Sequence, residues 1–214
     1  NKMKGILIVL AIFLSPTFAQ AQELKLIQLL EPDLNRGLNI MQAFKNRASA
    51  TAFSPEPLSI RDLSDVVWAA NGINRPDGRR TAPSARNSQD IDIYVIKESG
   101  AFIYNHHTHT LEPIASGDHR GLVVGRQVSM ANAPVMLVLV SDISRFPSGD
   151  ETQRLRFGAM DAGIVSQNIA IACAGLGLAT RPRASMDVVG LQNLLKLNEN
   201  QRLMLNHPIG HPAD

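Results

Sequence analysis

The sequence predicts an α+β fold, and three observations carry that prediction. Apolar residues recur at helical spacing in four segments of the 214-residue chain. In three other segments they alternate or run together as in strands, and the two kinds follow one another irregularly rather than as a strand-helix repeat. A chain of this length buries roughly 70% of its unfolded surface. With Cys173 as its one cysteine it has no internal disulfide framework, and it needs none.

Lys4 precedes the apolar run Ile6 to Leu14, which is followed by Ser15, Pro16 and the small-residue pattern Ala19-Gln20-Ala21. That order is the order of a secretory signal peptide, residues 1–21, cleaved after Ala21. A buried amino-terminal helix is the competing reading. Residues 22–214 then form one domain, exported and expected in the periplasm. The run falls short of the roughly 20 apolar residues a spanning helix needs, and no later stretch comes closer, so no membrane span is expected. Cleavage removes Lys2 and Lys4 and no acid, which brings the 21 Lys+Arg and 19 Asp+Glu of the whole chain into balance. A neutral surface gives a polyanion little to hold, so nucleic acid is not an expected partner.

Leu34, Leu38, Met41 and Phe44 form a helical stripe after Pro32, with Asp33 as N-cap, and predict an amphipathic helix over 33–46. Ser59 and Asp62 resemble a capping box. Ile60, Leu63, Val66, Val67 and Ala70 then share one face, Trp68 is expected in that helix's core, and Asn71-Gly72 ends it. Residues 71–90 show no periodicity and read as a long polar loop, of the length often used for function. Ile91, Ile93 and Val95 alternate, Ala101 to Asn105 follows Ser99-Gly100, and Val135 to Val140 is an apolar run expected to be buried on both faces. Residues 152–174 form the longest helix, rich in Gly and Ala that permit close approach of another helix. Asp187 to Leu197 is a last short helix.

Several signals point to chemistry without establishing it. Gly175-Leu176-Gly177 resembles the opening of a dinucleotide loop, but it follows a helix and lacks the third glycine, so a glycine-rich helix exit is the better reading. His106, His107 and His109 sit at a predicted hairpin tip, where they read either as zinc or copper ligands or, with no carboxylate or cysteine to complete the spacing, as exposed histidines. No metal site is assigned. Nor is there a Gly-x-Ser-x-Gly nucleophile elbow, and nothing basic stands beside Cys173 to make it reactive.

The segment Arg47-Ala48-Ser49-Ala50-Thr51-Ala52-Phe53 leaves a helix, and in an extended conformation Arg47, Ser49 and Thr51 point to one side. A guanidinium fork beside a hydroxyl suits a phosphate. This spacing resembles the Arg-x-Ser motif that opens the FMN-dependent nitroreductase family, and four further segments match that family in order. Leu58 to Arg75 resembles its second helix, Thr81-Ala82-Pro83-Ser84-Ala85-Arg86-Asn87-Ser88-Gln89 its Pro-Ser-x-x-Asn-x-Gln loop, Asp161 to Thr180 its long helix and exit, and Pro208-Ile209-Gly210-His211-Pro212 its terminal Pro-Val-Gly-Tyr-Pro. The resemblance spans residues 33–212. Within the family it is closest to the short-chain branch that also contains azoline-forming dehydrogenases.

The resemblance implies a nitroreductase-like, mixed but mostly antiparallel sheet flanked by helices, in a homodimer that shares its active sites across the interface. FMN is the implied cofactor. Arg47, Ala48 and Ser49 would hold its phosphate; Thr51 stands where the family has a basic residue near the flavin O2, and that missing cation should lower the redox potential. Pro83, Ser84, Ala85, Arg86 and Asn87 correspond to the loop that reaches the neighbouring subunit's flavin, and Gln127 to a carboxamide on the flavin pyrimidine edge. Backbone N–H groups of Thr180 to Arg183 correspond to those near flavin N5 and O4. The family commonly ends with Lys or Arg where Ala213-Asp214 stands here, and Arg183, or failing that Arg181, is the expected substitute. His211 replaces the family's tyrosine. The implied activity is ping-pong hydride transfer from a reduced nicotinamide or other small-molecule donor to a nitroaromatic, quinone or similar flat acceptor, with no catalytic side chain or metal. An exported flavin or small-ligand binding protein without activity is the alternative.

Overall fold

A strand without a polar face has to lie inside a sheet that is covered on both sides. The computed structural model describes residues 24–213 and puts Val135–Asp142 in that position; the expected signal peptide lies outside those residues. In chain order the elements are β1 (Ile27–Gln28), α1 (Ile40–Asn46), α2 (Ile60–Asn71), β2 (Ile91–Lys97), β3 (Gly100–Asn105), β4 (Thr110–Ser116), α3 (Arg120–Val124), β5 (Val135–Asp142), α4 (Glu151–Leu176), β6 (Ala179–Thr180), α5 (Val188–Leu195) and β7 (Gln201–Gly210). The strands form one seven-stranded sheet in the order β1-β4-β3-β2-β5-β7-β6, and its six pairings are all antiparallel.

Strand periodicity divides the interior in two. Ile91, Ile93, Val95, Leu137 and Leu139 turn to one face, where they meet Leu63, Val66 and Val67 of α2 and Ala162, Val165, Ile169 and Cys173 of α4. Tyr94, Ile96, Met136, Val138 and Val140 turn to the other, against Val123 and Val124 of α3 and Leu191 and Leu195 of α5. Each large aliphatic side chain so buried stabilises the fold by roughly 2 kcal/mol. Cys173 is a buried core residue, its thiol pushed far above the ordinary range by burial.

The start of α1 differs from the sequence expectation. The helix begins at Ile40, and its cap is Asn39, whose side chain accepts from Gln42 N–H, rather than Asp33. Asp33 to Leu38 is instead pinned to its neighbours as a turn. Arg36 bridges Asp62 (2.5 Å) and Asp65 (2.7 Å) on α2, Asp33 N–H donates to Asp65, and Leu38 N–H donates to the Gly175 carbonyl. The N-cap half of the expected capping box forms: Ser59 Oγ accepts from Asp62 N–H at 3.0 Å, a cap contributing about 1 kcal/mol, while the Asp62 carboxylate accepts from the Ser59 hydroxyl (2.6 Å). Trp68 is not in the core; it is half-buried, with Nε1–H on the Ile73 carbonyl.

Of the strands the sequence did not delimit, β1 and β6 are two residues long, and β4 and β7 each contain a proline. Pro113 sits in β4 at a register shift opposite Phe102, and Pro208 sits in β7 opposite Met136. The terminal Pro208-Ile209-Gly210 is therefore part of a ten-residue strand between β5 and β6.

By length and composition α4 is apolar enough to cross a membrane, contrary to the expectation that no later stretch approaches that length. One side of it packs on the sheet, and it carries the buried Asp161. One of its small residues is needed for that packing: a Cβ on Gly158 would collide with the Ser141 side chain on β5. The helix ends at Gly177 in the left-handed conformation, as a glycine-rich exit requires. Gly158→Ala is expected to lower stability by about 2 kcal/mol in thermal unfolding, although helix propensity alone would raise it by up to ~1 kcal/mol.

Candidate functional site

The Arg47–Phe53 segment leaves α1 extended and is fastened to the sheet edge at two points. Ala50 N–H donates to the Thr180 carbonyl at 2.9 Å, and the buried Phe53 bridges to Pro212. Arg47, Ala48 and Ser49 before the first anchor, and Thr51 between the two, are exposed. Among the described residues the Arg47 guanidinium and the Ser49 hydroxyl have no hydrogen-bond or ion-pair partner, so both are free for an anion. Beside them opens a cavity of about 230 Å³ whose wall is built largely from alanines: Ala48, Ala50, Ala170, Ala174 and Ala179, with Thr180 among them. Small flat walls beside a free guanidinium suit a planar ring system that carries a phosphate.

Gln127 and Arg183 are engaged elsewhere. The Arg183 guanidinium is buried and donates to the carbonyls of Val123 and Val124, to Asn206 Oδ1 and to Gln127 Oε1 at 2.7 Å. It ties α3 to β7 with four of its five N–H donors taken inside the protein, and so does not stand where a terminal basic residue would meet a phosphate. Gln127 is exposed with its acceptor oxygen committed, so only its amide donor remains. Of the N–H groups from Thr180 to Arg183, Pro182 has none and that of Arg183 goes to Asn206 O. Thr180 and Arg181 keep theirs as candidates.

The Pro83–Asn87 loop is an ordered turn. Arg86 and Asn87 both have positive φ (57° and 54°), and Gln89 follows at 48°. Such a run is uncommon outside glycine and persists only where its surroundings hold it. Three contacts do so here. Ala85 N–H donates to both carboxylate oxygens of Asp161 on α4 (3.0 and 2.9 Å), Gln89 N–H donates to Ser84 Oγ, and Arg86 folds back over the Phe157 ring onto Ser148. Pro83 and the Asn87 side chain face solvent.

One protomer does not bring the two groups of residues together. The loop rests on Asp161, whereas the alanine cavity is lined by Ala170 and Ala174, and Asp161 and Ala174 are separated by roughly 20 Å of helix. His106, His107 and His109 lie at the tip of the β3–β4 hairpin, away from both. His106 Nε2 is met by the Arg80 guanidinium at 2.9 Å, and His109 lies between the Tyr104 hydroxyl and the Leu30 carbonyl. Among the described residues no three His, Cys, Asp or Glu are grouped to hold a metal ion.

The model of the nitroreductase family matches residues 44–211. The chain belongs to the nitroreductase family. A nitroreductase-type protein of Methanocaldococcus jannaschii is 26% identical over 192 residues, covering 86% of this chain and 96% of its own. A solved nitroreductase-type structure from Ralstonia eutropha is 31% identical, with a TM-score of 0.83 and coverage of 100% and 98%. An Escherichia coli microcin synthetase complex shares the fold at 18% identity, with a TM-score of 0.70 over 96% of this chain and 85% of that one. Nitroreductases are oxidoreductases that typically bind a flavin and act as dimers on small molecules.

The residues of the candidate site region that sequence reasoning missed are buried and polar. Asp90 is fully buried; its Oδ2 accepts from Ser141 Oγ at 2.5 Å, and its Oδ1 has no partner. Asp161 stands beside it. Burial, and then the neighbouring Asp90 carboxyl, push Asp161 up to about 7. The folded value lies above the ordinary 3.8, so this contribution to stability is complete below that pH and is lost as pH rises through about 7. Asp161→Asn keeps an oxygen for Ala85 N–H and needs no proton. Its Tm is expected to fall less than that of the wild type between about pH 5 and pH 8, and equal falls would contradict the raised Asp161 pKa.

Proposed function

We propose that the chain is an FMN-dependent oxidoreductase that takes hydride from a reduced nicotinamide or other donor and passes it, in ping-pong fashion, to a nitroaromatic, quinone or similar flat acceptor. The observation that carries this reading is the exposed, unpartnered Arg47 and Ser49 on the same segment whose Ala48 and Ala50 line the cavity. Arg47 and Ser49 would hold the FMN phosphate, a dianion for which a guanidinium and a hydroxyl are a matched donor pair. The alanines would flank the ring system, and the free N–H groups of Thr180 and Arg181 would face its polar edge. When bound, FMN supplies the hydride chemistry. The protein orients it, excludes water and sets its potential, and Thr51 contributes no cation to that potential.

The working unit in this reading is a homodimer. Leu34, Met41 and Phe44, from the apolar stripe that the sequence shows over 33–46, are exposed to 75%, 73% and 51%, and Met160 and Ile164 on α4 are exposed as well. That exposure is what a second copy would cover. An antiparallel pairing along α4 would carry one protomer's Pro83–Asn87 loop toward the other's Arg47 segment, the distance that one chain cannot span. Ile164→Glu is expected to yield monomers with FMN affinity reduced at least tenfold, measured by sedimentation and fluorescence titration.

Purified protein is expected to bind FMN, bleach anaerobically with a reduced donor and recover with a quinone or nitroarene. Arg47→Ala is expected to lose the flavin, and full occupancy in that variant would refute the phosphate assignment. An exported flavin or small-ligand binder is the second reading, favoured by Thr51, and bound flavin that no donor reduces would support it. We also propose export through residues 1–21, on Lys4, the Ile6–Leu14 run and Ala19-Gln20-Ala21. Protein recovered from the periplasm should begin at Gln22.

A further inference from the structure

His207 is fully buried in β7, one residue before Pro208, and nothing in the expected chemistry uses it. Its ring nitrogens each meet a hydroxyl: Ser166 Oγ of α4 at 2.7 Å from Nε2, and Thr180 Oγ1 of β6 at 3.1 Å from Nδ1. The Thr180 hydroxyl also lies 2.9 Å from the Pro208 carbonyl, which only accepts. That last contact fixes every proton in the chain. Thr180 donates to Pro208, so its oxygen accepts from His207 Nδ1–H; Nε2 is then the acceptor, and Ser166 donates to it. The imidazole is neutral, and burial pushes its pKa down to about 3.

The chain is directional and fully satisfied, and it joins the long helix, the last strand and the two-residue β6. It ends on Thr180, which lines the alanine cavity and whose carbonyl takes the Ala50 N–H. A leucine of similar volume would fill the space as well, and burying three polar groups is worthwhile only where their geometry is needed.

We propose that Ser166, His207 and Thr180 form a positioning relay that fixes the Ala50–Thr180 contact, and with it the Arg47–Thr51 segment and the Arg181 N–H, in the geometry that binds flavin. It rests on the FMN reading above. His207 acts through Thr180 and is a positioning residue.

The test has an arm that needs no cofactor. In flavin-free protein, amide hydrogen exchange at Ala50 is expected to accelerate at least tenfold in His207→Leu, and less in Ser166→Ala, which cuts only the far end of the relay. His207→Asn presents an amide N–H where Nδ1–H was and should restore protection to within about threefold of the wild type. FMN titration should follow the same order, with His207→Leu at least tenfold weaker and its bound-flavin visible spectrum shifted. Unchanged exchange and affinity in His207→Leu would overturn the relay while leaving the FMN assignment intact. If that variant does not fold, Ser166→Ala decides, and wild-type exchange and affinity there overturn it. Wild-type protein that binds no FMN would overturn the reading beneath the relay, whatever the exchange data show.

Discussion

The whole molecule is organised around the requirement that β5 never meet water. Val135 to Ser141 are all buried, so the strand needs a neighbour on each edge and a layer on each face. The edges go to β2 and β7, one face to α2 and α4, the other to α3 and α5. Gly158 is where this requirement is tightest, because α4 approaches β5 closely enough that no side chain fits between the helix and Ser141. Ser141 in turn holds Asp90, Asp90 stands beside Asp161, and Asp161 carries the Ala85 N–H. One helix-strand contact thus determines where an exposed functional loop can stand.

The parts of the fold legible in the sequence were those in which a local pattern agrees with the tertiary environment. The double-sided burial of 135–140, the Ser59 cap and the Gly177 exit are local facts that packing left unchanged. The start of α1 was not legible, because Arg36 diverts residues 33–38 to carboxylates on α2, and that ion pair is long-range. β4 and β7 were hidden by their prolines. The exposed stripe of α1 shows a limit of another kind: periodicity identifies an apolar face but not what covers it.

The candidate site divides along similar lines. Arg47, Ser49 and the Pro83–Asn87 loop were readable because their residue types sit on exposed backbone whose order matches a known pattern. Arg183 was misassigned because a lone arginine in sequence looks the same whether it faces solvent or is enclosed by the carbonyls of Val123 and Val124. Asp90, Asp161 and His207 gave little signal, since a polar residue inside an apolar run reads as surface until its neighbours are known.

The last strand has a further consequence for handling the protein. β6 covers only Ile209 and Gly210 of β7, and a single bridge from Arg183 reaches Asn206, so Gln201 to Leu205 present an unpaired backbone edge among the described residues. Open edges of this kind recruit strands from other molecules unless a charge stands guard. Arg202 occupies that stretch and is tethered to Glu151 at the start of α4. High ionic strength screens that ion pair, and so weakens the tether that keeps this charge on the open edge.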